Sequence, residues 1–190
     1  MTAPAKIVLS LAIIALAQTG VLAAMVVDRV RLLKSGREIV LPIVPVDPRD
    51  LFKGEYVRLG YDVGSVPTRL LEGPSPRQNA AFYVVLEKKG DGAWTPAKIS
   101  RAMPQETSPD RIVLKARTLH GWRIDTSRDG SVAVRYGIES YFLPEGRGKE
   151  LEKLAREKKL ATLVAVDTKG NAAIKGLIID GKLQYEEPLF

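Results

Sequence analysis

Residues 46–63 read VDPRDLFKGEYVRLGYDV, and the rest of the chain is organised around this stretch. It begins with a turn signal, Asp47-Pro48-Arg49-Asp50, because proline fixes its own φ and aspartates bond back to nearby amides. Lys53-Gly54 then lets the chain bend without a Cβ to obstruct it. The residues from Glu55 to Asp62 alternate in polarity, which predicts a strand.

The predicted strand has two faces, because successive side chains point to opposite sides. One face carries Tyr56 and Arg58, and the other carries Leu59 and Tyr61. We expect the ring of Tyr61 in the core with its hydroxyl bonded to a partner, and Tyr56 on a binding surface. We expect Gly54 to adopt a positive φ or to lie against another backbone.

Residues 54–61, GEYVRLGY, resemble the signature of the bacterial GDYXXLXY family, with Glu55 where that motif has aspartate. The preceding residues 46–53 and a later block, YGIESYFLPEG at 136–146, also resemble this family. The resemblance covers most of the chain after the first helix. It implies a membrane-anchored, exported protein of unknown function. Glu55 keeps the charge of aspartate and adds a methylene.

Composition limits the classes of function. The chain has 190 residues, of which 45% are hydrophobic and 27% charged, as in a globular protein. Its net charge is +7, yet aromatic residues make up only 6% and no basic block is interleaved with them, so we expect no nucleic-acid partner. The absence of cysteine excludes disulfides, thiol catalysis and zinc–thiolate sites.

An apolar segment near the N-terminus, Ile7 to Val27, has 21 residues without a charge. This length predicts a single transmembrane helix whose partner is the lipid bilayer. Small residues at 22–24 leave open a cleaved signal peptide, although its apolar region would usually be shorter. Gly36 is a plausible helix stop, so we divide the chain into an anchor and linker, 1–36, and a β-rich domain, 37–190.

Charged flanks give conflicting indications of topology. Lys6 and the terminal amine favour a cytoplasmic N-terminus, whereas Arg29, Arg31, Lys34 and Arg37 favour the opposite orientation. Large domains cross membranes largely regardless of such charges. Because the resemblance implies export, we expect a single-pass protein of the inner (cytoplasmic) membrane with its domain in the periplasm.

The remaining sequence predicts a mainly β fold, an antiparallel sheet or partly open barrel with one amphipathic helix over Gly148–Leu160. Roughly nine short strands are separated by turn signals. Prolines 42 and 45 favour an edge position for the first strand, and a loop is expected over Gly64–Asn79. The predicted strands are 38–44, 55–62, 80–88, 94–99, 111–118, 132–138, 162–166, 172–179 and 183–185.

Few residues could carry catalysis. His120 is the single histidine, which excludes a histidine-based metal cluster, and no nucleophile elbow, P-loop or dinucleotide motif occurs. We therefore expect no metal and no cofactor. Carboxylates at Asp47, Asp50 and Glu55, with Glu139 and Glu145, could form an acid–base pair or a hard-cation site if strands brought them together, or they could cap turns.

Two hypotheses remain open. The first is a non-enzymatic envelope domain that binds or assembles with an envelope protein through the motif region, and the alternative is a carboxylate-dependent hydrolase of the cell envelope. The candidate binding residues are Asp47, Arg49, Asp50, Gly54, Glu55, Tyr56, Arg58, Tyr61, Glu139 and Tyr141.

Overall fold

The structure of the protein is a computed structural model, and it describes residues 3–45, 56–72, 80–118, 130–142 and 148–186. These residues form antiparallel β-sheets preceded by one long apolar helix, which confirms the predicted fold class. Within the described part, the sheets stay open and do not close into a barrel. The candidate residues Asp47, Arg49, Asp50, Gly54 and Glu55 lie outside the described residues, as does His120.

Two helices and twelve strands make up the described fold, more strands than the nine predicted. The helices are α1 (Ala3–Ser35) and α2 (Gly148–Arg156). The strands are β1 (Arg37–Val44), β2 (Tyr56–Arg58), β3 (Gly60–Tyr61), β4 (Ser65–Pro67), β5 (Phe82–Lys88), β6 (Trp94–Ser100), β7 (Arg111–Thr118), β8 (Ser131–Arg135), β9 (Ser140–Phe142), β10 (Leu160–Val166), β11 (Ala172–Ile179) and β12 (Lys182–Glu186).

The strands form two five-stranded sheets and a two-stranded ribbon. The first sheet has the order β12-β11-β10-β1-β3, the second has the order β4-β8-β7-β5-β6, and the ribbon pairs β2 with β9. One hydrophobic cluster connects all three, because alternate residues such as Ile39 and Leu41 in β1 and Phe82 in β5 point inward. Helix α2 covers part of the first sheet through Leu151 and Ala155.

The motif stretch does not form the single strand predicted over Glu55–Asp62. It divides at Leu59, where β2 ends beside β9 and β3 begins beside β1, and residues 62–64 then close a 3-10 turn. The alternation of burial continues through the break, because Arg58 and Asp62 are exposed while Leu59 and Tyr61 are buried. Periodicity therefore predicted the faces correctly but could not indicate that the stretch changes partner strands.

Two other boundaries differ from the predictions. The expected loop after Gly64 contains β4 and a second 3-10 turn, because Val66 pairs with β8 and is fully buried. Helix α2 ends at Arg156, since Lys158 takes a positive φ of 57° that terminates the helix. Strand β1 takes the edge position expected from its prolines over residues 37–42, where β10 is its one partner strand among the described residues, and β3 pairs with it only at residues 43–44.

Helix α1 enters the domain without a linker. Its last turn is held by the domain, because Leu33 is 4% exposed and α1 contacts β10 and β11. One residue, Gly36, separates α1 from β1, and a Cβ there would lie 2.8 Å from the backbone N of Val166. Further towards the N-terminus, residues 7–29 of α1 are exposed along their whole length. The stretch Ile7–Lys34 is long and apolar enough to cross a membrane.

Candidate functional site: the motif corner

The two sequence segments that resemble the family pack against each other. Strand β2 pairs with β9 in the register Tyr56–Phe142, Val57–Tyr141 and Arg58–Ser140. Beyond the ribbon, the backbone N–H of Leu59 donates to the carbonyl of Glu139 at 2.9 Å. We call residues 56–64 together with residues 136–142 the motif corner.

Two tyrosine hydroxyls connect the two segments of this corner by hydrogen bonds that run in opposite directions. The hydroxyl of Tyr61, from the first segment, donates to the carbonyl of Ile138 in the second at 2.9 Å. The hydroxyl of Tyr136, from the second segment, donates to the carbonyl of Val63 in the first at 2.6 Å. Both rings are buried, so the prediction that Tyr61 lies in the core with a bonded hydroxyl is confirmed.

Burial suppresses ionisation of both tyrosines. It raises the pKa of Tyr61 well above its ordinary value, and the negative charge of Glu139 adds to the rise while the hydroxyl of Thr162 opposes it. Burial likewise raises the pKa of Tyr136, and Glu139 again adds to the effect. Both hydroxyls therefore stay protonated around neutral pH and act as hydrogen-bond donors.

The carboxylate of Glu139 caps the turn between β8 and β9. Its Oε1 accepts the backbone N–H of Tyr136 at 2.6 Å, and its Oε2 accepts that of Gly137 at 3.0 Å. Gly137 has a φ of +86°, a conformation that glycine adopts without strain. Both carboxylate oxygens of Glu139 therefore stabilise the segment whose Ile138 carbonyl accepts the Tyr61 hydroxyl. This candidate residue has a structural role.

The outer face of the ribbon carries exposed side chains, in contrast to the buried tyrosines on its inner side. Phe142 is 73% exposed, the highest exposure among large hydrophobic residues outside α1 in the described part of the chain. Arg58 and Ser140 are exposed on the same face, and register places Tyr56 directly opposite Phe142. By contrast, Tyr141 faces inward and is buried. The corner therefore presents an aromatic and an arginine outward from a rigid base.

The structure brings together those candidate residues that it describes. Arg58, Tyr61, Glu139 and Tyr141 all lie in the motif corner, and Tyr56 contributes a backbone position there. Sequence reasoning did not single out the bond from Tyr136 to Val63 or the exposure of Phe142. The separation of 73 residues between Tyr136 and Val63 leaves no local pattern to find. Among described residues, no group of three acidic or imidazole side chains is placed to hold a metal ion.

Comparison with protein families gives a match that includes both segments of the motif corner. No curated protein and no solved structure matches the chain. The family described as GDYXXLXY protein matches residues 18–177, a range that starts within α1 and includes both segments of the motif corner. That range spans well over half of the 190 residues. The chain is therefore a member of the GDYXXLXY family, whose function is unknown.

Proposed function

We propose that this protein is a single-pass, membrane-anchored envelope module that binds a partner protein through the outer face of the motif corner. The observation that carries the proposal is Phe142, a large aromatic side chain that is 73% exposed beside an exposed arginine, Arg58. Aromatic and arginine side chains are the residues that most often dominate the binding energy of protein interfaces.

The rigid base of the corner supports a binding role. A binding surface loses less conformational entropy when its residues are already fixed before the partner arrives. Strand β9 is paired with β2, and the segment before it is held by Glu139 and by the hydroxyl of Tyr61. The buried candidate residues therefore position the outer face, and Tyr56, Arg58 and Phe142 are the proposed contact residues.

The apolar segment supports anchoring in a membrane, and the export that the family resemblance implies supports the inner membrane with the domain in the periplasm. An apolar segment of about 20 residues meets the thickness of a hydrocarbon core, and the segment 7–27 has 21. A reporter fused after Phe190 tests the orientation: alkaline phosphatase activity supports export, whereas fluorescence of an ordinary green fluorescent protein places the domain in the cytoplasm. N-terminal sequencing tests retention, because a mature chain starting near Met25 would mean that the segment is a cleaved signal.

Site-specific cross-linking tests the binding role. A photoreactive residue at Ser140, on the outer face of the ribbon, should trap a discrete partner in intact membranes. The same residue at Ser131, which is exposed at the start of β8, is the matched control and should not. Phe142→Ser should abolish the cross-link from Ser140 without lowering the amount of protein. Equal cross-linking from both positions, or a cross-link that survives Phe142→Ser, would contradict the proposal.

Substitution of the carboxylates separates this role from hydrolysis. Glu139, one of the five candidate carboxylates, already accepts two backbone hydrogen bonds. Because the proposed contact residues are Tyr56, Arg58 and Phe142, we expect Asp47→Asn, Asp50→Asn and Glu55→Gln to leave cross-linking from Ser140 unchanged. Loss of a cellular phenotype in these variants, with cross-linking and stability intact, would favour the hydrolase instead.

A further inference from the structure

A cleft of about 580 Å³ lies at the foot of α1, away from the motif corner. Its walls are Arg37 at the start of β1, residues 103–107, residues 111–113 of β7, and residues 166–168 at the C-terminal end of β10. Arg37 follows Gly36 directly, so the cleft adjoins the point where the helix enters the domain. If α1 spans the bilayer, the cleft lies near the membrane surface, and its ligand must be present there.

Arg37 gives the cleft a fixed positive charge. Its guanidinium donates to the carbonyls of Ser108 at 3.3 Å and Arg111 at 2.7 Å, and also to that of Pro109. These acceptors are neutral, and no carboxylate of the described residues forms an ion pair with Arg37. The carbonyls therefore orient the guanidinium without cancelling its charge, so that it can attract an anion.

The other charged groups of the cleft have partners. Arg111 donates to Glu87 at 3.0 and 2.9 Å, and Glu106 lies 3.9 Å from the same guanidinium. Asp167 accepts the backbone N–H groups of Lys169 and Asn171 at 2.8 Å each, and also the side-chain amide of Asn171. The neutral amides leave the negative charge of Asp167 in place but hold both of its oxygens within its own turn. Arg37 is the cation of this lining that lacks an acidic partner among the described residues.

The rest of the lining is largely apolar. Met103 is 38% exposed at the cleft, and Pro104 follows it, while Val113 and Val166 contribute buried walls. A free inorganic anion would use the arginine alone. An amphipathic molecule with a phosphate and adjoining carbon chains would use both the charge and the apolar wall.

The cleft lies close to the head-group layer of a membrane that α1 spans. From Val27 to Gly36 the helix rises about 13 Å, at about 1.5 Å per residue. The polar layer beyond the hydrocarbon core is about 5–7 Å thick on each side. Gly36 therefore lies about 6–8 Å beyond this layer when α1 is parallel to the bilayer normal, and tilt of α1 shortens that distance. Because no linker separates α1 from β1, the domain cannot swing this cleft far from the membrane.

We propose that the cleft binds the phosphate head group of an anionic phospholipid from the leaflet that the domain faces, with Arg37 on the phosphate and Met103 and Pro104 against the glycerol and first acyl carbons. This proposal rests on the anchoring that the proposed function assigns to α1. It adds a second membrane contact to the helix and so fixes the rotation of the domain about the helix axis.

Titration with short-chain lipids tests the proposal on the full chain in an uncharged detergent. Dihexanoyl phosphatidylglycerol should raise the melting temperature in a saturable manner, because a ligand that binds only the folded state stabilises it. Dihexanoyl phosphatidylcholine should give a smaller rise, and inorganic phosphate at equal concentration should give none. Equal rises with both lipids, or a rise with inorganic phosphate that matches phosphatidylglycerol, would overturn the assignment.

Two matched variants locate the site. Met103→Glu places a negative charge at the cleft and leaves the hydrogen bonds of Arg37 intact, so it should weaken phosphatidylglycerol binding by about tenfold. Leu183→Glu changes a residue of similar exposure, 46%, on β12 away from the cleft, and should bind as the unaltered chain does. Unchanged binding by Met103→Glu would overturn the proposal.

A separate measurement keeps the two proposals distinguishable. Carbonate washing of membranes reports the anchoring, because a chain that spans the bilayer stays in the pellet. A chain that stays in the pellet but shows no preference for phosphatidylglycerol retains its anchor and overturns the cleft assignment. A chain that is released by carbonate overturns the anchoring on which the assignment rests, even where the lipid titration is positive.

Discussion

The foot of α1 and the motif corner both join distant parts of the chain, but they do so by different physical means. At the foot, Leu33 is buried against the first sheet and Gly36 fits where a Cβ would not. At the corner, Tyr61 and Tyr136 exchange hydrogen bonds between two segments that lie more than 70 residues apart. The first junction depends on close packing alone, and the second adds directed polar bonds to the packing of two buried rings.

The difference predicts how each junction fails. A packed junction loses stability according to the volume removed or added, because neighbouring atoms do not fully relax. A hydrogen-bonded junction also loses stability when polar atoms alone are removed, because a buried carbonyl left without a donor costs free energy. Substitutions at the two places should therefore separate these contributions, provided that each has a matched control in the same chain.

The largest loss is expected for Tyr61→Ala. The ring of Tyr61 is buried in the main core and its hydroxyl bonds to Ile138, so its removal should lower the free energy of unfolding by about 3–5 kcal/mol. Tyr83→Ala is the matched control, since this residue is half-buried and lies outside that core cluster. Urea unfolding followed by tryptophan fluorescence measures both. An equal loss in the two variants would mean that the corner is not a core element.

Leu33→Ala should give the next largest loss at the foot of the helix. Leu33 is 4% exposed, and its truncation should cost about 2 kcal/mol, at the low end of the range because it packs at the end of a helix. Leu22→Ala truncates the same side chain where it is 64% exposed, and should leave unfolding of the domain unchanged. If Leu33→Ala also has no effect, the last turn of α1 is not part of the domain.

Gly36→Ala tests the steric fit at the same junction. The new Cβ would lie 2.8 Å from Val166 N and 2.9 Å from Leu32 O, and both are backbone atoms that cannot rotate away. We expect a loss of about 1–2 kcal/mol from this overpacking. Gly20→Ala is the matched control, because nothing lies within 4 Å of its Cβ position and alanine favours a helix. A melting temperature for Gly36→Ala equal to that of the control would show that the helix shifts freely.

The sequence predicts the elements that form the two junctions better than it predicts the contacts between them. The uncharged run before Val27 and the glycine at 36 indicated where α1 ends, and the alternation after Glu55 indicated that Leu59 and Tyr61 face inward. These are local patterns with a known period. The pairing of β2 with β9 and the contacts of Arg37 with residues 108–111 depend on parts of the chain that are distant in sequence. A single sequence does not specify such contacts.

The smallest effects are expected when the hydroxyls alone are removed, and they carry a pH dependence that separates the two junctions. Tyr61→Phe and Tyr136→Phe should each lower stability at neutral pH by about 1 kcal/mol, because the carbonyls of Ile138 and Val63 lose their donors.

In the unaltered chain, the pKa of each tyrosine is raised on folding by burial. The folded state therefore holds these protons more tightly than the unfolded state, so stability is fully present below a pH of about 10 and falls as pH rises above it. Phenylalanine cannot ionise, so the double variant should lose less stability than the unaltered chain between pH 10 and 11.5. Urea unfolding across this range measures the slopes, with Leu33→Ala as the control whose slope should match the unaltered chain. Parallel slopes in the double variant and the unaltered chain would mean that these two hydroxyls do not govern the alkaline limit of the fold.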